Sequence, residues 1–313
     1  MTTVIVLCYL RPKNTSILLQ QIADAWKGKV VVSQDGLSSL KHNQEWQSTI
    51  KVCEEFSEKF GFEYILHQSN LGVTKHLFTS LQSIFLNDDQ VIVLEDDLQI
   101  SERFFEFMEL GLNVFSNQND IFFISGRREL PALNTFLWQK SNYIPFLGWA
   151  LWRESFNKIS PYFDFAESNV DNLRQSIDRP KTHVERFFWR RRFNDRQNIF
   201  PEAWDTLFTL IMWKHGGFCA ISPNNLITYH GNDDVALHNR PNRTSLAGRS
   251  IDQLGNVREE LLIADQSDYV DLRLAKIMFG ISWVRFSELI LGKGRLRNFL
   301  RDFYVRCLNI MRF

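Results

Sequence analysis

The sequence lacks any run of about 18 consecutive apolar residues, the length a helix needs to cross a bilayer, so no spanning helix is expected. Charge of one sign is also missing. Lys+Arg and Asp+Glu both total 36 and the formal net charge is zero, which argues against a whole-protein electrostatic grip on nucleic acid. Cysteine is scarce: Cys8, Cys53, Cys219 and Cys307 lie far apart and form no CxxC pair. That excludes a disulfide framework and a cysteine zinc site, and predicts buried reduced thiols in a cytosolic chain. The opening Met1-Thr-Thr-Val-Ile-Val-Leu has no basic n-region, so it reads as a first strand and not as a signal peptide. No internal repeat or low-complexity segment is present.

Apolar residues make up 44% and charged residues 23% of the 313, a balance that suits a globular protein with a real core. Aromatics reach 14%, with 27 Phe and 9 Trp, which supplies much ring surface for a core, a membrane surface or sugars. Short apolar runs at Val4–Leu7, Lys29–Ser33, Phe62–Leu66, Val91–Leu94 and Ile121–Ser125 predict strands. Between them, Ile17–Trp26, Gln44–Phe60, Thr74–Phe85 and Arg103–Phe115 are amphipathic and predict helices. Wholly apolar strands separated by helices indicate an α/β fold, a mostly parallel sheet with helices on both faces. Further on, Trp204–Trp213 reads as a helix, Phe218–Ile221 as a strand, and Pro223–Arg249 as irregular and mobile. The expected division is one domain over 1–250, with halves at about 1–125 and 126–250 and a charged insert near 162–200, followed by a tail over 251–313.

Two stretches concentrate positive charge. Between Arg174 and Arg196 there are 8 basic and 3 acidic residues, with Arg186-Phe-Phe-Trp-Arg-Arg-Arg-Phe193 at the centre. Residues 281–313 carry 7 basic and 2 acidic residues interleaved with aromatics at roughly helical spacing. The tail reads either as a basic helix lying on an anionic membrane surface or as an amphipathic helix packed on the domain. The central segment reads as a second membrane contact or as a site for an anionic acceptor.

The most informative stretch is Val91-Ile-Val-Leu-Glu95-Asp96-Asp97. Ligands of doubly wound sheets bind beyond the carboxyl ends of the strands, and here three adjacent acids occupy such an end. A hard divalent cation relieves their repulsion while holding phosphate oxygens of a substrate. A strand end followed by a helix with acidic first residues is the simpler alternative.

These residues resemble a known family. Val91–Met108 (VIVLEDDLQISERFFEFM) is similar to the Glu-Asp-Asp segment of the N-acetylglucosaminyltransferase I family, inverting glycosyltransferases of the GT-A fold. Val31-Val-Ser-Gln-Asp35-Gly36, Phe146-Leu-Gly148-Trp149-Ala and Ala203-Trp204-Asp205 resemble three further family segments, in the family's order. The resemblance covers roughly residues 1–240, and the basic segment and the tail have no match in it. Family members are held in the Golgi by an N-terminal membrane helix that is not seen here, which points to a soluble bacterial relative, cytoplasmic or peripheral on the inner face of the membrane.

The resemblance implies a role for each matching residue. Asp97 becomes the principal ligand of Mn²⁺ or Mg²⁺, and Glu95 and Asp96 contact the sugar and ribose of a UDP-sugar donor, most simply UDP-GlcNAc. Asp35 reads the uracil, against the alternative of a plain Asp-Gly turn. Arg11 lies near the nucleotide or is a surface arginine. His76 reaches the uridine or diphosphate, or is a half-buried residue at a helix start. Asp205 is the general base, with Glu202 as substitute. His230 is a candidate second metal ligand or an ordinary loop histidine, and Arg240, Arg243 and Arg249 follow it in a segment suited to a closing lid. Gly148, Trp149 and Trp204 face the sugar–acceptor junction, although a buried core Trp149 fits equally.

The implied activity is metal-dependent transfer of a sugar, with inversion, to a hydroxyl of a glycan or lipid-linked glycan. A sugar nucleotidyltransferase normally carries a Gly-rich loop after its first strand, and Tyr9–Ser16 has no glycine. A catalytically inactive carbohydrate-binding protein at a membrane surface is the third reading.

Overall fold

The computed structural model describes residues 1–130, 137–163, 171–194, 204–231, 250–252 and 262–279. The first half alternates as expected: β1 (Thr2–Cys8), α1 (Pro12–Ala25), β2 (Lys29–Gln34), α2 (Asn43–Phe60), β3 (Glu63–Leu66), α3 (Val73–Phe85) and β4 (Gln90–Glu95). Next come β5 (Leu98–Ile100), α4 (Phe104–Val114), β6 (Ile121–Ser125), β7 (Leu137–Ser141), β8 (Trp149–Trp152) and α5 (Arg153–Ile159). The described remainder holds α6 (His183–Asn194), α7 (Trp204–Lys214), β9 (Phe218–Ile221), β10 (Ile227–Tyr229), β11 (Leu262–Ala264) and α8 (Asp268–Phe279).

Nine strands form one sheet in the order β11-β7-β9-β6-β8-β4-β1-β2-β3, while β10 and β5 pair separately. Strands β1, β2, β3, β4, β6 and β9 run one way, and β7, β8 and β11 run the other. This is the mostly parallel, doubly wound α/β architecture expected for a GT-A type domain. Successive side chains of each strand enter opposite cores. Ile5 and Leu7 face α3, α5 and α7, whereas Val4, Val6 and Cys8 face α1, α2 and α4. Strands buried on both faces must be apolar at nearly every position, which is why β1, β2, β4 and β6 were readable; β3, at the sheet edge, is only partly covered.

Local signals set the helix ends. Pro12 begins α1, where its missing N–H costs nothing. Gly61 closes α2 at φ +72°, a left-handed position that favours glycine, and its N–H donates to the Ser57 carbonyl at 2.9 Å. Cys8, Cys53 and Cys219 are buried free thiols; Cys307 lies outside the described residues.

Three parts differ from the sequence expectation. The basic segment contains α6, which buries Phe188, Trp189 and Phe193. Residues 223–231, expected to be loose, are held by Asn225, whose side-chain amide donates to the carbonyls of Ile227 (2.9 Å) and Ser250 (2.8 Å). Residues 262–279, assigned to the tail, add β11 to the sheet edge and bury Leu274 and Ala275 on α8. The remaining tail, 280–313, lies outside the described residues. Among those described, no helix is long and apolar enough to cross a membrane.

Asp271 attaches α8 to the domain. It accepts from Ser141 Oγ (2.6 Å), the Asn142 backbone N–H (3.0 Å), Asn142 Nδ2 (2.8 Å) and Gln266 Nε2 (2.6 Å), and is buried. Asp271→Ala strands those donors and is expected to cost about 2–3 kcal/mol. The readout is a lower denaturant midpoint at unchanged m-value. A midpoint equal to wild type would mean that α8 is not part of the folding unit.

Candidate active site

The carboxyl ends of β1, β2, β4 and β6 and the start of antiparallel β8 meet at one edge of the sheet. Glu95 ends β4, and Asp96 extends the ladder through its N–H to the Leu7 carbonyl (3.0 Å). Asp96 then ties the two loops together. It accepts the Tyr9 N–H at 2.9 Å and Arg11 Nη1 at 2.8 Å. The same guanidinium nitrogen lies 3.6 Å from Asp97 Oδ2. Arg11 is therefore the cation the fold itself supplies to the acidic triplet, a firmer role than the surface reading allowed. Burial pushes the Glu95 carboxyl up to about 8, with Asp97, Asp96 and Asp205 adding to the shift and Arg11 opposing it. Three adjacent carboxylates at this edge do not all stay ionised near neutral pH.

A second element presses on the triplet. β10 pairs antiparallel with β5, and the His230 N–H donates to the Asp97 carbonyl at 2.8 Å. The exposed His230 imidazole lies 3.2 Å from Thr228 Oγ1. At Gly231 an added Cβ would stand 2.5 Å from Asp97 Oδ2 and 2.4 Å from the Tyr229 hydroxyl, so only glycine fits against that carboxylate. β10 is itself held by Arg127, which donates to the Ile227 carbonyl (3.0 Å) and pairs with Glu129 at 2.8 Å, both side chains being buried. Sequence reasoning passed over Arg127, Glu129, Asn225 and Gly231. The available signal was Arg127-Arg128-Glu129 placed one glycine after a fully buried strand.

Hard oxygen donors of this kind suit Mg²⁺ or Mn²⁺. Among the described residues no three His, Cys, Asp or Glu side chains converge into a ready-made cage. Of the described residues, Asp97 would be the donor to such a cation.

Two of the site candidates are engaged within the fold. Asp35 is buried, and its carboxylate accepts from its own chain: Gly36 N (2.8 Å), Leu71 N (2.8 Å), Gly72 N (3.0 Å) and Asn70 Nδ2 (3.2 Å). It clamps the loop before α3 onto the end of β2, and Gly36 allows that approach, since a Cβ there would lie 2.2 Å from the Ser69 carbonyl carbon. His76 starts α3 but turns inward, with 5% of its surface exposed. Its Nε2 lies 2.8 Å from Ser33 Oγ, which also meets His67 Nε2 (3.2 Å) and Ser80 Oγ (3.0 Å). Burial, then the His67 charge, hold the His76 imidazole down at about 3, so it is neutral at pH 7.

The other half of the edge is aromatic. Trp149 is 1% exposed and lies among Phe123, Phe146 and Phe208. Trp204 stacks over it at 5.8 Å, so Trp149 supports that ring and offers no face of its own; the core reading is the one observed. Trp204 is half-buried at the start of α7, followed by Asp205. Gly148 has φ +60°, and a Cβ there would lie 2.6 Å from Ile227 Cδ1, so what approaches it is the β10 side chain. Glu202 and the segment with Arg240, Arg243 and Arg249 lie outside the described residues.

No family model matches the chain. It is 24% identical over 172 residues to an alpha-1,3-mannosyl-glycoprotein 2-beta-N-acetylglucosaminyltransferase of Arabidopsis thaliana, a match covering 49% of this chain and only 36% of that protein. Among solved structures, TarS of S. aureus overlaps 74% of this chain and 37% of its own at 14% identity and a TM-score of 0.44. A putative glucose-1-phosphate thymidylyltransferase from Bacillus anthracis overlaps 51% of this chain and 75% of its own at 11% identity and a TM-score of 0.31. Structural overlaps this partial do not bear on the chemistry of this chain.

Two outcomes follow from the packing. An Ala at Gly231 must displace Asp97 or Tyr229 and is expected to cost about 1–3 kcal/mol, read from denaturant melts; an unchanged midpoint would show that both side chains have room. His76 binds its proton more weakly folded, at about 3, than unfolded, at about 6.5. Its contribution is complete above the unfolded value and falls away with acid, by about 1.4 kcal/mol per pH unit below about 6. His76→Gln is expected to flatten stability between pH 6 and pH 4.5, and equal slopes in the two proteins would remove His76 as the titrating group.

Proposed function

We propose that the chain is a metal-dependent inverting glycosyltransferase that moves GlcNAc from UDP-GlcNAc to a hydroxyl of a glycan or lipid-linked glycan. The observation that carries this reading is the tie between the start of α7 and the strand of the acidic triplet. Remote in sequence, Trp204 beside Asp205 stacks at 5.8 Å on Trp149, which pairs with Val93 in the strand that ends in Glu95. Inverting transfer needs a carboxylate that takes the acceptor proton and, across the same cleft, groups that hold the departing diphosphate. The similarity to the Arabidopsis transferase supports the same class of reaction.

In this reading Asp205 accepts the proton of the acceptor hydroxyl as its oxygen attacks the anomeric carbon. The bond from that carbon to the diphosphate oxygen breaks on the opposite face, and UDP leaves with both electrons. Asp97 would hold Mn²⁺ or Mg²⁺, which would supply neutralising charge for the leaving group. Arg11 fixes Asp96 and limits the repulsion around Asp97. Trp204, propped by Trp149 and Phe146, presents an indole at the acceptor side for a sugar ring. His230 stands on the strand beside Asp97 as a candidate second ligand. The tail over 281–313 would hold the enzyme against an anionic membrane surface, in keeping with a lipid-linked acceptor.

The test is thermal melting with UDP and UDP-GlcNAc, with and without Mn²⁺. Ligand at about 100 times its dissociation constant stabilises by about 2.7 kcal/mol, so wild type should shift and Asp97→Asn should not. Asp205→Asn should keep the shift and lose about 10²–10⁴-fold in transfer rate. Absence of any nucleotide-dependent shift in wild type would falsify the UDP-sugar reading.

A further inference from the structure

Two of the buried thiols are neighbours. Cys8 is the last residue of β1 and Cys53 stands midway along α2. They are 45 residues apart in the chain, yet their sulfurs lie 3.7 Å from each other. Cys8 Sγ also donates to the Ser33 carbonyl on β2 at 3.5 Å. Both side chains are enclosed, 3% and 0% exposed, in the apolar layer that α1 and α2 form with the sheet. A disulfide sets its sulfurs about 2.0 Å apart, so the pair needs only a small further approach to bond. Neither thiol has a part in the chemistry described so far.

The place of the pair matters as much as its spacing. The Cys8 carbonyl accepts the Asp35 N–H at 3.1 Å, and the next residue, Tyr9, gives its N–H to Asp96 at 2.9 Å. On the other element, Trp46 lies about two helical turns before Cys53, and its indole N–H donates to the Asp35 carbonyl at 2.9 Å. The backbone of Asp35 is thus held from one side by the strand that bears Cys8 and from the other by the helix that bears Cys53. A bond between the sulfurs would join those two holds covalently. Of its 18 residues α2 buries Thr49, Ile50, Cys53 and Phe56, and it packs on α1 and on the edge strand β3. A helix with so narrow a buried stripe, at the margin of the sheet, belongs to the part of a fold that opens most readily.

We propose that Cys8 and Cys53 are a reversible oxidation site whose disulfide fastens α2 to the end of β1, with a low-molecular-weight disulfide such as oxidised glutathione as the co-reactant. Cys53, carried outward as α2 opens, loses its proton, attacks one sulfur of that disulfide and releases one small thiol. Cys8, as its thiolate, then attacks Cys53 Sγ in the mixed disulfide and expels the second. Two protons and two electrons pass from the pair to the small disulfide, which leaves as two thiols. In the closed fold, contact with Cys53 and then burial hold the Cys8 thiol well above its ordinary value, so the pair stays reduced until α2 opens. The site is independent of the transferase reading.

The experiment equilibrates the native chain in glutathione buffers of graded oxidised-to-reduced ratio, quenches with acid, alkylates in denaturant and maps the peptides. The expected product is a monomer lighter by two hydrogens, with the peptides that bear Cys8 and Cys53 linked and Cys219 alkylated. Dithiothreitol should undo the link. Amide exchange across Asn43–Phe60 should slow about tenfold or more in that product. The Cys53→Ser chain should show neither the link nor the slowing, and Cys8→Ser is made in parallel so that a folding failure in one variant leaves the other as control. Glutathione adducts alone, links between chains, or a Cys8–Cys53 link that appears only after denaturation would overturn the proposal. So would unchanged exchange in the linked product, the same slowing in either serine variant, or a soft metal ion held by the two thiols in place of the link.

Discussion

The contact between Arg11, Tyr9 and Asp96 is the constraint on which the rest of the site depends. A strand that ends in three consecutive acids is an electrostatic problem, because like charges at this spacing disfavour one another and burial disfavours each of them. The fold answers from the adjacent strand. One guanidinium and one backbone N–H of the loop after β1 hold Asp96.

Everything else at the edge is placed relative to that lock. β5 leaves the triplet and pairs with β10, β10 hangs from Arg127, and Arg127 emerges from β6. On the acceptor side the linkage is apolar. Trp149 at the start of β8 carries Trp204, and Trp204 fixes the turn that bears Asp205. Polar bonds set the Asp96 half of this edge and aromatic stacking sets the Trp149 half.

Strands β1, β2, β4 and β6 were legible because each is buried on both faces, and the helices between them because each is buried on one. Short strands were not: β5, β8 and β10 hold three or four residues each, too few to show a period. At the site, Arg11, Asp96 and Asp97 meet at the carboxyl end of β4, since acids and a basic loop residue at strand ends leave a local mark. Asp35, His76 and Trp149 were harder to read. Sequence reports that a side chain is polar or aromatic, but not whether its partners are its own loop, a buried serine or a second indole. The roles of Arg127, Asn225 and Gly231 depend on elements distant in sequence, and no short motif records them.

The three residues of β11 have a consequence beyond packing. β7 runs along the flank of the nine-stranded sheet, and β11 occupies its outer hydrogen-bonding side. A bare flank of that kind is a template for strands of other molecules. β11 is itself the new edge, but with three residues it offers a shorter template, and Asp271 seats the helix that follows it.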